Sequence, residues 1–325
     1  MSYRQLTLSE RYHISALLKQ GLSQKEIAEE IGVSPSTISR ELRRNGSEKG
    51  YDAEHAQTQT FLRHRKKRKH TIWTPSAERY VREKLKLDWS PEQISGRMKL
   101  ERGYTISHET IYRYIYANKH NGGRLYKHLR HKNKKYHKRG YTYDNRGILK
   151  NRTMIDKRPK IVEKKRRIGD WEIDTVIGKG HQGVLVTAVD RHSKFTLIAP
   201  ASSKHAEVVS KTLLRLLEPV KPITKTITSD NGKEFAHHER IAKRLEAGFY
   251  FANPYHSWER GLNEHTNGLI RQYLPKEREF TNLSHKEVAM IQNRLNYRPR
   301  KVLGFKTPYE VFFAKMVKEL DKMSA

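Results

Sequence analysis

Three carboxylates in the C-terminal half of this 325-residue chain lie where an acid needs a reason. Asp174 falls inside the apolar run Trp171-Glu172-Ile173-Asp174-Thr175-Val176-Ile177, which reads as a strand. Asp230 ends another, Lys225-Thr226-Ile227-Thr228-Ser229-Asp230, just before the sharp turn at Asn231-Gly232. Glu264 comes one helix later. There Arg260, Glu264, Asn267 and Arg271 recur at spacings of 4, 3 and 4, and so share one polar helix face. Brought together at the carboxyl edge of a sheet, three such oxygen ligands suit Mg2+ or Mn2+ held partly by a substrate phosphate. Two ions about 4 Å apart would activate a water or a 3′-hydroxyl and stabilise the leaving oxygen of an in-line phosphoryl displacement. Taken singly, Asp230-Asn231-Gly232 is equally an ordinary turn and Glu264 a solvated helix residue, so the chemistry belongs to the set.

The elements that must position these acids begin at Gly169. Strands are expected at 171–177, 183–190 and 195–199, joined by short polar turns as in a meander. A helix over 206–217, a strand at 225–230, a helix over 234–246, a strand at 248–251 and a long helix over 257–273 follow. Three strands and then alternating helix and strand describe an α/β core with one mixed sheet.

The first half has a different character. The chain carries 66 Lys+Arg against 35 Asp+Glu, a net charge of +31 with His neutral. Positions 1–169 hold 41 basic and 17 acidic groups, whereas positions 170–325 hold 25 and 18. A polyanion is therefore the first partner to consider. Residues 8–45 read as three helices, with Gly32-Val33 as the turn, Ser34 able to cap and Pro35 at the first helical position. That is a helix-turn-helix, whose second helix enters the major groove. Ser36, Thr37, Ser39 and Arg40 would meet base edges, with Arg43 and Arg44 placed for phosphates. The basic run Arg63 to Lys69, including Arg65, Lys66 and Lys67, is expected to stay extended or frayed and to track a DNA backbone. A looser helix-turn-helix-like block follows at 75–120, with Thr110 and Arg113 as its candidate DNA contacts. Residues 121–168 read as a second basic strap, in which Lys134 and Lys135 would lie on phosphates.

The chain contains no cysteine, which excludes disulfides, thiolate zinc sites and a Cys nucleophile. No apolar run approaches the length of roughly 18 residues that a membrane helix needs, so no membrane partner is expected. The 17 histidines are scattered, and His237-His238 reads as surface rather than as metal ligands.

Three motif blocks together resemble the DDE transposases of bacterial insertion sequences, specifically the insertion-sequence-thirty group. They are Ser34-Pro35-Ser36-Thr37-Ile38-Ser39-Arg40-Glu41-Leu42-Arg43-Arg44-Asn45; the core segments Gly169 to Asp174, Thr228 to Phe235 and Asn263 to Tyr273; and the tail Leu295 to Arg300 with Thr307 to Phe312. The spacing from Asp230 to Glu264 also matches that group's interval. The resemblance implies a multidomain protein, with all-α helix-turn-helix modules ahead of an α/β ribonuclease-H-like core of the retroviral integrase type. Its domains would be 1–48, a basic linker at 49–74, 75–120, a basic linker at 121–168, and the core with C-terminal helices at 169–325. It also implies Asp174, Asp230 and Glu264 as a triad holding two Mg2+ or Mn2+ ions, with Asp174 preferred over Asp170 as the first member. Arg271 would contact DNA. The implied activity is binding of terminal inverted repeats, strand cleavage and 3′-hydroxyl transfer into target DNA, by a dimer or higher oligomer in the bacterial cytoplasm at the nucleoid. The rival reading is a sequence-specific DNA-binding regulator with an inactive integrase-like core.

Overall fold

The computed structural model describes residues 5–47, 50–66, 73–130, 149, 151–254, 256, 259 and 261–324. The chain divides into two compact units, Met1–Thr71 and Ile72–Ala325.

The first unit contains α1 (Leu8–Lys19), α2 (Gln24–Ile31), α3 (Pro35–Asn45) and α4 (Ala53–Lys66). Thr7 and Ser23 each start a helix with a reciprocal capping box, closed by Glu10 and Glu26. Gly32 ends α2 at φ +74°, a conformation that a β-carbon disfavours. Ser34 occupies the cap position of α3, but its hydroxyl bonds those of Ser36 and Thr37 rather than a backbone N–H. Ile14, Ile27, Ala28 and Ile38 form the small core. Of the run Arg63 to Lys69, the part Arg63 to Lys66 is helical instead of extended, as the last turn of α4, and the rest lies outside the described residues. The first turn of α4 is tied by His55 N–H donating to Asp52 Oδ2 at 2.7 Å, and Ala53 and Ala56 are buried. Apolar anchoring at one end carries the charged end into the helix. Lys67 lies outside the described residues.

The second unit opens with α5 (Pro75–Lys86), α6 (Pro91–Arg102) and α7 (His108–His120), which share a core of Tyr80, Val81, Leu85, Ile94, Met98, Ile111 and Ile115. Ser90 and Ser107 cap α6 and α7, as their sequence positions suggest. A five-stranded sheet of order β3-β2-β1-β4-β5 follows, from β1 (Asp170–Ile177), β2 (Val184–Asp190), β3 (Thr196–Ala201), β4 (Thr226–Ser229) and β5 (Gly248–Phe251). The pairs β3-β2 and β2-β1 are antiparallel, and β1-β4 and β4-β5 parallel. Alternation along the strands sends Trp171, Ile173 and Ile227 to one face, under α8 (Ala206–Leu217), α9 (His238–Leu245) and α12 (Pro308–Ser324). Val176, Leu185 and Ile198 face the other way, under α10 (Gly261–Ile270) and α11 (His285–Asn296).

Two expected helices are shorter. The segment 234–246 begins with a separate 3-10 turn, Lys233–Phe235, before α9. The helix carrying Glu264 ends at Ile270, three residues before the expected Tyr273. The end of the expected strap belongs to the core: Val162 is fully buried, and Phe251 N–H donates to Thr153 carbonyl at 2.9 Å. Lys134 and Lys135 lie outside the described residues. Among the described residues, no helix is long and apolar enough to cross a membrane.

Candidate active site and nucleic-acid interface

Parallel pairing fixes the relation between the first two acids. Asp170, Trp171 and Glu172 of β1 stand opposite Thr226, Ile227 and Thr228 of β4. Continued two residues, the same register sets Asp174 beside Asp230, on the face that Glu172 and Val176 share. Both are half-buried; Asp230 directly follows β4, at the carboxyl edge of the parallel strands where ligands collect in open α/β sheets, and Asp174 lies in β1 just past its pairing with β4. Asp174 Oδ1 accepts from Thr175 N–H at 2.8 Å, and Asp230 Oδ1 from Gly232 N–H at 3.0 Å.

The third acid arrives on α10, which is fastened along β1 by three side chains four residues apart. Asn263 Nδ2 donates to Ile173 carbonyl at 3.0 Å, Asn267 Nδ2 to Asp174 Oδ2 at 2.8 Å, and Arg271 Nη2 to Ile177 carbonyl at 2.7 Å. Glu264 follows Asn263 and precedes Asn267 by three residues, so it sits on the flank of α10 nearest Asp174 and is exposed. Arg271, expected as a DNA contact, is half-buried over the Phe280 ring and committed to the Ile177 carbonyl. Burial lowers its pKa. Among the described residues no three acidic or histidine side chains approach closely enough to enclose a metal ion. The donor set nevertheless fits one. Asn267 Oδ1, on the amide bonded to Asp174, is a buried acceptor with no hydrogen-bond partner. Carboxylates beside an unmet amide oxygen are the hard-oxygen chemistry that a divalent cation takes.

Two further residues reach this edge without being singled out in the sequence. Glu234 is buried, and its Oε1 accepts from Thr175 Oγ1 at 3.0 Å and pairs with Lys204 Nζ at 2.9 Å. One carboxylate thus ties β1, the turn after β4 and the loop before α8. Gly232 makes the approach possible, since a β-carbon there would lie 2.3 Å from Glu234 Oε2 and 2.9 Å from Asp230 Oδ1. An acid four residues past Asp230, directly before Phe235, was the available signal.

Below the edge the remaining acids are spoken for. Asp170 is held by Arg167 at 2.8 and 3.0 Å and by Thr226 Oγ1 at 2.8 Å, four residues from Asp174. Glu172 pairs with buried Arg191 at 2.7 Å, and burial raises its pKa. His238, expected at the surface, is buried with its ring edge-on to Phe251 at 4.9 Å.

In the first unit, Ser36, Ser39, Arg40, Arg43 and Arg44 are exposed along α3, with Thr37 half-buried. Thr37, Arg40 and Arg44 line one groove with Arg63, His64 and Lys66 of α4. Arg65 is exposed on α4 as well. The groove therefore joins residues expected for base edges with residues expected for phosphates. On α7, Arg113 is exposed and Thr110 half-buried.

A mixed sheet with acids at its parallel strand ends, behind a helix-turn-helix, defines a polynucleotidyl transferase with an integrase-type core. The comparisons agree: a helix-turn-helix domain family matches residues 2–45 and an integrase core domain family residues 164–257. The chain is 48% identical over 311 residues, 95% of each protein, to the transposase for insertion sequence element IS4351 of Bacteroides fragilis. It is 36% identical to the InsI transposase of IS30A from Escherichia coli (strain K12), over 94% of this chain and 82% of that one. It is 34% identical to the transposase of IS1086 from Cupriavidus metallidurans, over 99% and 98%. Among solved structures, the catalytic core domain of BIV integrase aligns with 47% of this chain and 98% of its own at 20% identity and a TM-score of 0.38. The chain belongs to the IS30-type insertion-sequence transposases.

Proposed function

We propose that this transposase binds the terminal inverted repeats of its element through α3 and α7, cuts a strand at the end, and joins the freed 3′-hydroxyl to target DNA. What supports the reading is the parallel pairing of β1 with β4, whose register extended two residues would bring Asp174 beside Asp230, and the bonds from the helix carrying Glu264 to β1. Asp174, Asp230 and Glu264 would hold two Mg2+ or Mn2+ ions, which lower the pKa of an attacking hydroxyl and neutralise charge on the leaving oxygen. Asn267 orients the Asp174 carboxylate by occupying its Oδ2. Glu234 keeps Lys204 at the edge, where its ammonium faces a phosphate beside the scissile one. In the first step water attacks phosphorus and the 3′-oxygen departs with a proton. In the second that 3′-hydroxyl attacks a target phosphodiester, so one P–O bond forms as one breaks. Joining two ends calls for a dimer or higher oligomer acting at DNA in the bacterial cytoplasm.

The test uses labelled end duplex with Mg2+. Nicked and joined products are expected, and binding without any metal-dependent product would favour a DNA-binding regulator with an inactive core. Asp230→Asn should abolish both products while end binding persists; loss of both together would make the residue structural.

A further inference from the structure

The α6 helix carries contacts on two sides. Ile94 and Met98 pack inward against α7. Its other side meets the C-terminal segment of the core. Arg97 Nη1 and Nη2 donate to Glu310 Oε2 and Oε1 at 2.8 and 2.6 Å, the forked geometry that gives such pairs directional precision. These bonds hold the Glu310 carboxyl down to about 2. Arg97 Nη1 also reaches the Phe305 carbonyl at 3.3 Å. Phe305 sits at φ +63°, a costly conformation for a bulky side chain. There its ring lies against Gly96 so closely that a β-carbon on Gly96 would be 2.4 Å from three ring atoms. Arg294 Nη1 adds a bond to Lys86 carbonyl at 2.7 Å, and Lys301 pairs with Glu92 at 2.6 Å.

A second close approach lies just beyond the module. Arg130 Nη2 lies only 2.7 Å from where a β-carbon on Gly268 would stand. Gly268 is in α10, four residues past Glu264. Neither contact touches the outer side of α7, where His108, Glu109, Arg113 and Tyr116 stay exposed.

We propose that the 75–120 module is a fixed ruler: clamped through Gly96 and Arg97, it holds α7 at a set distance from the Asp174–Asp230 edge and so decides which phosphate is cut. This rests on α7 as a DNA reader, as proposed above. Successive base pairs lie about 3.4 Å apart along the duplex. A slip of that size between module and core would move the cut by one nucleotide, and a forked ion pair with a ring seated on a glycine resists such a slip. The positive-φ phenylalanine is then strain kept for positioning.

The absence of cysteine makes the test direct. Glu92→Cys with Lys301→Cys, joined by a short bismaleimide, locks the module in place. The linked protein should cut end duplex at the same nucleotide as the unlinked one. Binding with loss of cutting in the linked form alone overturns the ruler, because the module then has to leave. Gly96→Val should leave end binding within about twofold yet spread the cut over neighbouring nucleotides, and Phe305→Ala in the same chain should restore one position. A single unchanged cut in Gly96→Val overturns the proposal. Docking is also read without cutting, from dyes on Lys99→Cys and Lys276→Cys. Energy transfer should stay constant on adding end duplex, and a fall overturns the ruler. A wild-type protein that cuts no DNA would instead sink the cleavage reading, leaving the dye distance to judge the docking.

Discussion

Asp174 is a good example of a residue that announces itself: an acid between Ile173 and Thr175 on a central strand is expensive without a partner. Its immediate partner, Asn267, was visible only as a polar member of a helix face, since the bond between them spans 93 residues. Asn267→Leu should slow cutting about 10- to 100-fold, the usual cost of losing a group that orients a ligand, while end binding is kept. Single-turnover cleavage measures it. Gly232→Ala is expected to be nearly inactive although its backbone is unstrained, because the added methyl has to displace Glu234 or Asp230. Normal folding with lost Mn2+ binding, followed by calorimetry, is the expected signature. Glu234 and Lys204 were not legible as a pair in the sequence, because their ion pair joins two loops with a whole helix and strand between them.

At the scale of elements, most of the fold could be read because the local signals agree with one another. Thr7, Ser23, Ser90 and Ser107 begin helices as their types suggest, and the β1-β2-β3 meander follows its apolar runs. The misread pieces share a cause. The last turn of α4 is written in Arg, His and Lys, and the helix is set by its earlier part, where Ala53 and Ala56 are buried. Residues 151–168 look like a charged strap until Ile155 and Val162 meet the core. In the first unit, α3 is anchored from beneath by Arg11 Nε donating to Glu41 Oε1 at 2.7 Å, with both residues buried. Arg11 also bonds Gln57 Oε1 at 2.6 Å and so fastens α4 to the same post. Glu41→Ala leaves that guanidinium buried and should cost about 3–5 kcal/mol of local stability. Hydrogen exchange in α1 and α3 should show it, together with loss of end binding that no added salt explains.

Across the whole molecule, charge is distributed by role. The stretch up to Gly169 holds the large basic excess, and the rest holds the carboxylates proposed to cut. Lys66→Ala should weaken binding alike on all sequences and lower the salt dependence by about one counterion, whereas Arg40→Ala should relax base preference. Filter binding over a salt series separates the two. A pH signature comes from Lys194, whose ammonium burial brings down to about 8 from the usual 10.5. Between those values the unfolded chain holds a proton the folded chain has lost, so stability rises with pH across that window. Below pH 8 the cost of the buried charge is fully present. Lys194→Met should flatten that rise and raise the thermal midpoint at neutral pH.

The placing of β1 has a kinetic corollary. It is the middle strand of five, laddered on one side to β2 and on the other to β4. The pairing to β4 covers Asp170, Trp171 and Glu172, so the amides of that stretch are freed only when the sheet itself comes apart, whereas Asp174 just beyond it is paired to β2 alone. The amides from Trp171 to Glu172 should be among the last in the protein to exchange with deuterium, and that of Thr175 earlier. The base of the strand that carries Asp174 therefore persists through partial openings elsewhere in the chain.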